Sequence, residues 1–159
     1  MSKAPGTPAT VALTAAGIAF TPRQYTHDPA TTNFGLEAAE ALGVDPERVF
    51  KTLLADVDGR LVVGIVPVST TLDLKALARA VGGKKAAMAD AQLAERRTGY
   101  VVGGISPIGQ KTAHPTVIDE SAELFDTVLV SGGRRGFDIE LAPADLIAVT
   151  SAAVADIAR

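Results

Sequence analysis

The chain has no cysteine and no tryptophan, and only 4% of its 159 residues are aromatic. Without cysteine there are no disulfides, no thiolate nucleophile and no cysteine-ligated metal centre. A reducing, cytoplasmic home is compatible with that composition. Histidine is almost as scarce. His27 and His114 lie far apart, and the sequence holds no H-E-x-x-H pair, no P-loop and no Cys/His cluster. We therefore expect neither metal nor cofactor. No apolar run approaches the length of a membrane span, and the opening Met1-Ser-Lys-Ala-Pro-Gly-Thr-Pro8 lacks an apolar core of signal-peptide length. A protein that does not engage a membrane is expected.

What is present fits one globular domain spanning residues 1–159. Hydrophobic residues make up 47% and charged residues 21%, and the length suffices for a sizeable core. The net charge of −3 argues against tight, sequence-independent nucleic-acid binding. The distribution is uneven, however. Between Lys75 and Lys111 seven basic side chains, Arg96 and Arg97 among them, stand against Asp90 and Glu95. Such a stretch suits weak, transient contact with a polyanion, or is a solvated helix face.

Local signals divide the chain into short elements. Thr7 followed by Pro8 reads as a cap and first residue of a helix that stops at Gly17. Ile18–Tyr25 reads as a strand, placed at an edge by Pro22. Gly35–Leu42 is a helix closed by Gly43, and Asp45-Pro46 starts one further turn. Val49–Val57 and Leu61–Val68 are apolar runs joined through Asp58-Gly59, the clearest hairpin signal in the chain. Leu72–Val81 has helical spacing, and Asp90 caps a helix through Arg97. Tyr100–Val102, Thr116–Asp119, Thr127–Val130 and Phe137–Leu141 read as strands. In the last of these Phe137, Ile139 and Leu141 share one face, with Asp138 and Glu140 on the other. Pro143–Val149 is a helix without a good side-chain cap. This irregular mixture predicts an α+β domain around a mixed, mostly antiparallel sheet.

Three stretches carry chemistry. Thr98-Gly-Tyr-Val-Val-Gly-Gly-Ile-Ser-Pro-Ile-Gly-Gln-Lys111 is dense in glycine, which lets backbone N–H groups approach a developing negative charge. Ser106 within it is no nucleophile elbow, because the following Pro107 has no N–H to donate; it reads as a turn serine. Lys51 lies on a strand face with Val49, Leu53 and Ala55, opposite Phe50, Thr52 and Leu54. A lysine there either snorkels to the edge or is held in a pocket. Ser131-Gly-Gly-Arg-Arg-Gly136 is either a nest of N–H groups with arginines suited to a phosphate, or a hairpin turn with solvated arginines. Asp138 either accepts hydrogen bonds from a ligand or faces outward.

Taken together and in order, Tyr25-Thr-His-Asp-Pro-Ala-Thr-Thr-Asn-Phe-Gly35, Val49-Phe-Lys-Thr-Leu-Leu54, the glycine stretch 98–111 and Val130-Ser-Gly-Gly-Arg-Arg-Gly-Phe-Asp-Ile-Glu-Leu141 resemble the YbaK family. These are bacterial Cys-tRNA(Pro) deacylases, related to the editing domain of prolyl-tRNA synthetases. The resemblance implies a pocket on one side of a mixed sheet and hydrolysis of the ester joining an amino acid to the tRNA 3′ end. It implies that Lys51 is the pocket lysine and that Gly103 faces the substrate carbonyl. Tyr25 and Phe34 would form walls, and Ser131 and Asp138 would hold the substrate end. Gly104 and Ser106 are expected at the substrate through the same loop, and Arg96, Arg97, Arg134 and Arg135 at the tRNA. In the family's proposed mechanism the substrate cysteine thiol attacks its own ester, which fits a chain with no nucleophile of its own. The resemblance further implies a transient partnership with prolyl-tRNA synthetase, and leaves Cys-tRNA(Cys) open as a second substrate. The alternatives are a sibling Ala-tRNA(Pro) deacylase using an activated water, and a non-catalytic module binding a nucleotide or RNA 3′ end.

Overall fold

The structure, a computed structural model, describes residues 5–159. Residues 1–4, which belong to the opening segment read above for a signal peptide, lie outside the described residues. The Asp58-Gly59 hairpin forms as the sequence predicts. Phe50–Val57 (β2) and Arg60–Pro67 (β3) pair antiparallel, from Phe50 opposite Pro67 to Val57 opposite Arg60. Asp58 and Gly59 have φ of 53° and 87°. Two successive left-handed residues give the turn whose twist matches the flanking strands.

The hairpin is the centre of a five-stranded sheet. Ala86–Met88 (β4) pairs antiparallel with β2, Thr116–Asp119 (β5) parallel with β3, and Ala153–Ala155 (β8) parallel with β5. A second sheet has the order Thr21–Gln24 (β1), Phe137–Leu141 (β7), Val128–Arg134 (β6), all antiparallel. A parallel bridge from Val49 to Leu129 joins the two. Pro22 stands in β1, an edge strand, where its missing N–H costs no ladder bond.

Helices cover both layers. In Pro8–Ala15 (α1), Phe34–Leu42 (α2), Leu74–Ala80 (α3) and Ala91–Thr98 (α4), the side chains of Thr7, Asn33, Asp73 and Asp90 accept a backbone N–H three residues on. Pro143–Thr150 (α5) starts behind Ala142 with no side-chain cap, as expected. Phe50 and Leu54 of β2 point into the main core with Ile65, Ile118, Val130 and Ile139. Ala55 and Val57 point to the opposite face, where Leu77 of α3 and Ile157 cover them. The fold is α+β.

The structure revises several elements. Tyr100–Val102 is not a strand: Gly99 and Gly103, with φ of 81° and 87°, bracket a turn in which Gly104 donates its N–H to Val101 O. Tyr100 is instead a core residue whose hydroxyl donates to Ile108 O at 2.6 Å. The strand expected at Ile18–Tyr25 contracts to four residues, and the one expected at Thr127–Val130 extends through Arg134. The strands β4 and β8 and the 3-10 turn Glu120–Leu124 were not expected.

Candidate functional site

A cavity of about 450 Å³ opens beside β2. Its origin is a difference in strand length. β4 pairs with Ala55–Val57 only, and the Ala89 N–H donates to Leu54 O, so the edge of β2 over residues 50–53 faces the cavity instead of a neighbouring strand. For that reason side chains from both faces of β2 reach it.

Lys51 occupies the seam between two apolar clusters, one around Val49 and Leu129 and the other around Ala55 and Leu77. Its Nζ donates to Thr70 O at 2.7 Å, and the residue lines the cavity. Partial burial lowers its pKa. Across the cavity, β6 and β7 place Ser131 directly opposite Asp138. Asp138 is only 6% exposed. Burial pushes its carboxyl up to about 7, against an opposing pull from Arg23. The Tyr25 hydroxyl is likewise pushed up to about 12, first by burial and then by Asp138, so it stays protonated. Phe34, the first residue of α2, lies over Gly103 at the mouth.

Six residues singled out from the sequence thus meet in one cavity: Tyr25, Phe34, Lys51, Gly103, Ser131 and Asp138. Gly104 and Ser106 do not line it. Gly104 is pressed on the hairpin tip, where a Cβ would lie 2.7 Å from Arg134 Cα. Ser106 is fully buried, its Oγ accepting the Ile108 N–H and its carbonyl the Gln110 side chain. Its hydrogen bonds lie within its own loop, whose shape they help to fix. Asp138 turns inward, whereas Glu140 on the same face binds Arg23 and Arg48.

The 131–136 segment is not an open nest of N–H groups. β6 continues through Ser131–Arg134 with a bulge before the tip. A Cβ on Gly132 would meet Phe137 Cε2 at 2.3 Å, so close ring packing accounts for that glycine. Arg134 and Arg135 are exposed at the tip, and Arg96 and Arg97 on α4.

Thr52 was missed as a lining residue. Its Oγ1 is buried without a hydrogen-bond partner among the described residues. Strand alternation placed it opposite Lys51, and only the short β4 brings both to the cavity. Neither histidine lines the cavity. His27 pairs with Glu37 Oε1 at 2.7 Å, and His114 with Gln110 Oε1 at 2.9 Å. Among the described residues no helix is long and apolar enough to cross a membrane.

Comparison with known proteins gives the family of this fold and its mostly apolar cavity. Residues 28–149 match the aminoacyl-tRNA editing domain. The chain is 43% identical over 121 residues to an Enterococcus faecalis protein named "Putative Cys-tRNA(Pro)/Cys-tRNA(Cys) deacylase EbsC", covering 75% of this chain and 73% of that one. It is 32% identical over 100 residues to the proline–tRNA ligase of Maridesulfovibrio salexigens, covering 63% of this chain and 17% of the ligase. A solved structure described as "a putative trans-editing enzyme for prolyl tRNA synthetase" superposes with a TM-score of 0.81 at 28% identity, covering 96% of this chain and 95% of that one. The chain belongs to the aminoacyl-tRNA editing domain family, of the YbaK type.

Proposed function

We propose that this protein is a trans-editing deacylase that removes cysteine from mischarged Cys-tRNA(Pro), with the substrate thiol as nucleophile. One observation carries the reading: the cavity holds a cation, a buried carboxyl and a glycine turn, but no cysteine and no histidine. It is equipped to hold an aminoacyl ester and to stabilise charge, and it leaves the attack to its ligand.

In this reading the cysteinyl group enters between Phe34 and Tyr25. The Asp138 carboxylate receives its ammonium, with Ser131 beside it. Gly104 has given its N–H to Val101 O, so Gly103 is the member of the glycine pair that meets the ester oxygen. Lys51 lies where the terminal nucleotide would enter, to hold it or to assist the leaving hydroxyl. The thiol sulfur bonds to the ester carbonyl carbon, and the carbon–oxygen bond to the ribose breaks. The thiol proton ends on the ribose hydroxyl, and cysteine leaves as a thiolactone that water opens. Holding the thiol at the carbonyl supplies several kcal/mol of the barrier, and backbone donors at the oxyanion add to it. Arg96, Arg97 and Arg134 offer exposed charge to the tRNA. The low net charge makes that contact weak, and prolyl-tRNA synthetase is the proposed transient partner, supported by the similarity to a segment of a proline–tRNA ligase.

Cysteine and proline differ little in volume, so a pocket sorts them poorly by size. A thiol requirement sorts them by chemistry. We expect rapid loss of cysteine from Cys-tRNA(Pro), little loss of alanine or proline, and abolition by Lys51→Ala. Equal rates on Ala-tRNA(Pro) would overturn the thiol mechanism. One feature favours that second reading: a carboxyl with a pKa near 7 is suited to draw a proton from water. An Ala-tRNA deacylase would use Asp138 in that way.

A further inference from the structure

The mouth of the cavity is built from three backbone segments packed too tightly for side chains between them. A Cβ on Gly103 would lie 2.8 Å from Phe34 Cδ1 and 2.9 Å from Arg135 Nε. A Cβ on Gly104 would meet the Arg134–Arg135 backbone at 2.7–2.9 Å, and one on Gly136 would meet Tyr25 O at 2.8 Å. The β6–β7 tip is therefore seated on both the glycine turn and the end of β1.

From that tip the Arg135 side chain reaches back across the mouth. Its Nε donates to Val102 O at 2.9 Å, and its guanidinium carbon lies 4.9 Å from the centre of the Phe34 ring. One planar cation thus touches both walls, the ring at the start of α2 and the carbonyl beside Gly103. A second contact ties the same wall. His27 pairs with Glu37 of α2, and its ring lies 5.7 Å from that of Phe34.

Resting on the functional reading above, we propose that Arg135 is a positioning residue that holds Phe34 over Gly103, and so sets the width of the mouth and its selectivity among aminoacyl groups. Arg135 does not itself line the cavity; it acts through Phe34 and Val102. The role needs a planar group that stacks and donates along one edge. A lysine keeps the charge and can still donate, but its ammonium is not planar and cannot stack on the ring while donating to Val102 O along an edge. A residue that served only as a cation for the tRNA backbone would be replaced by lysine at little loss.

The test compares wild type, Arg135→Lys and Arg135→Ala in two ways. The first is the ratio of kcat/KM on Cys-tRNA(Pro) to that on Ala-tRNA(Pro) and Pro-tRNA(Pro). The second is the 19F spectrum of protein labelled with 4-fluorophenylalanine, with the Phe34 signal assigned by its loss in Phe34→Leu. We expect both Arg135 variants to lose kcat on the cysteinyl substrate about fivefold, to lower the selectivity ratio, and to shift the Phe34 signal alone among the five phenylalanines. Restoration of wild-type rate and ratio by Arg135→Lys would overturn the proposal, as would an unmoved Phe34 signal. A wild-type protein inert on every aminoacyl-tRNA would sink the functional reading alone. The ring signal would then still decide whether Arg135 holds Phe34.

Discussion

Asp138 is the residue on which the site's chemistry and its cost to the fold meet. Burial raises its carboxyl from an ordinary value near 4 to about 7. The folded chain then holds a proton that the unfolded chain has already released. The contribution to stability is complete below about pH 4 and is lost as pH rises through about 7. Asp138→Asn removes that dependence, so its Tm should gain on wild type from pH 5 to about pH 7 and level off above. A constant difference across that range would mean that the carboxyl is ionised throughout. Activity should move the other way. The carboxylate is the form that receives the substrate, so kcat/KM of wild type should rise through about pH 7, and that limb should vanish in the variant. The residue's identity was legible in the sequence through the family motif, but its inward orientation was not. Alternation along β7 allowed either a solvent-facing or a pocket-facing side chain. Only the layer packed against that face decides. Thr52 teaches the same lesson in reverse: alternation set it apart from Lys51, and an unpaired strand edge reunited them.

At the scale of elements, what the sequence revealed was whatever rests on local chemistry. The left-handed pair Asp58-Gly59, the caps Thr7 and Asp90, and the helix stop at Gly43 act within a few residues and needed no tertiary context. The strands β4 and β8, Ala86–Met88 and Ala153–Ala155, are built largely from alanine, which has little strand preference. They extend because β2 and β5 offer them an edge, a cause that lies far off in sequence. Tyr100–Val102 misled in the opposite sense: it is apolar enough for a strand, but Gly99 and Gly103 turn the chain and send Tyr100 into the core. For the glycines of β6 the sequence leaves open a nest of N–H groups or a hairpin turn; in the structure Gly132 makes room for Phe137. That distinction is measurable. Gly132→Ala drives a methyl group into the Phe137 ring and should cost about 1–3 kcal/mol. Urea unfolding midpoints would show it, and Phe137→Leu in the same chain should recover part of the loss. An unchanged midpoint would mean that the ring moves aside freely.

At the scale of the whole molecule, the architecture divides its labour between two sheets. The five-stranded sheet supplies Lys51 and the open edge of β2, and the smaller sheet supplies Ser131 and Asp138. The bridge from Val49 to Leu129 holds them together beside the cavity. No cysteine or histidine lines that cavity, and the proposed nucleophile is the thiol of the substrate. The most direct measurement sets Cys-tRNA(Pro) against tRNA(Pro) charged with 2-aminobutyrate, in which a methyl group replaces the thiol at nearly the same volume. The 2-aminobutyryl ester should bind comparably, inhibit competitively and be lost only at the uncatalysed rate. Hydrolysis of both esters at similar rates would rule out the thiol and assign the attack to water.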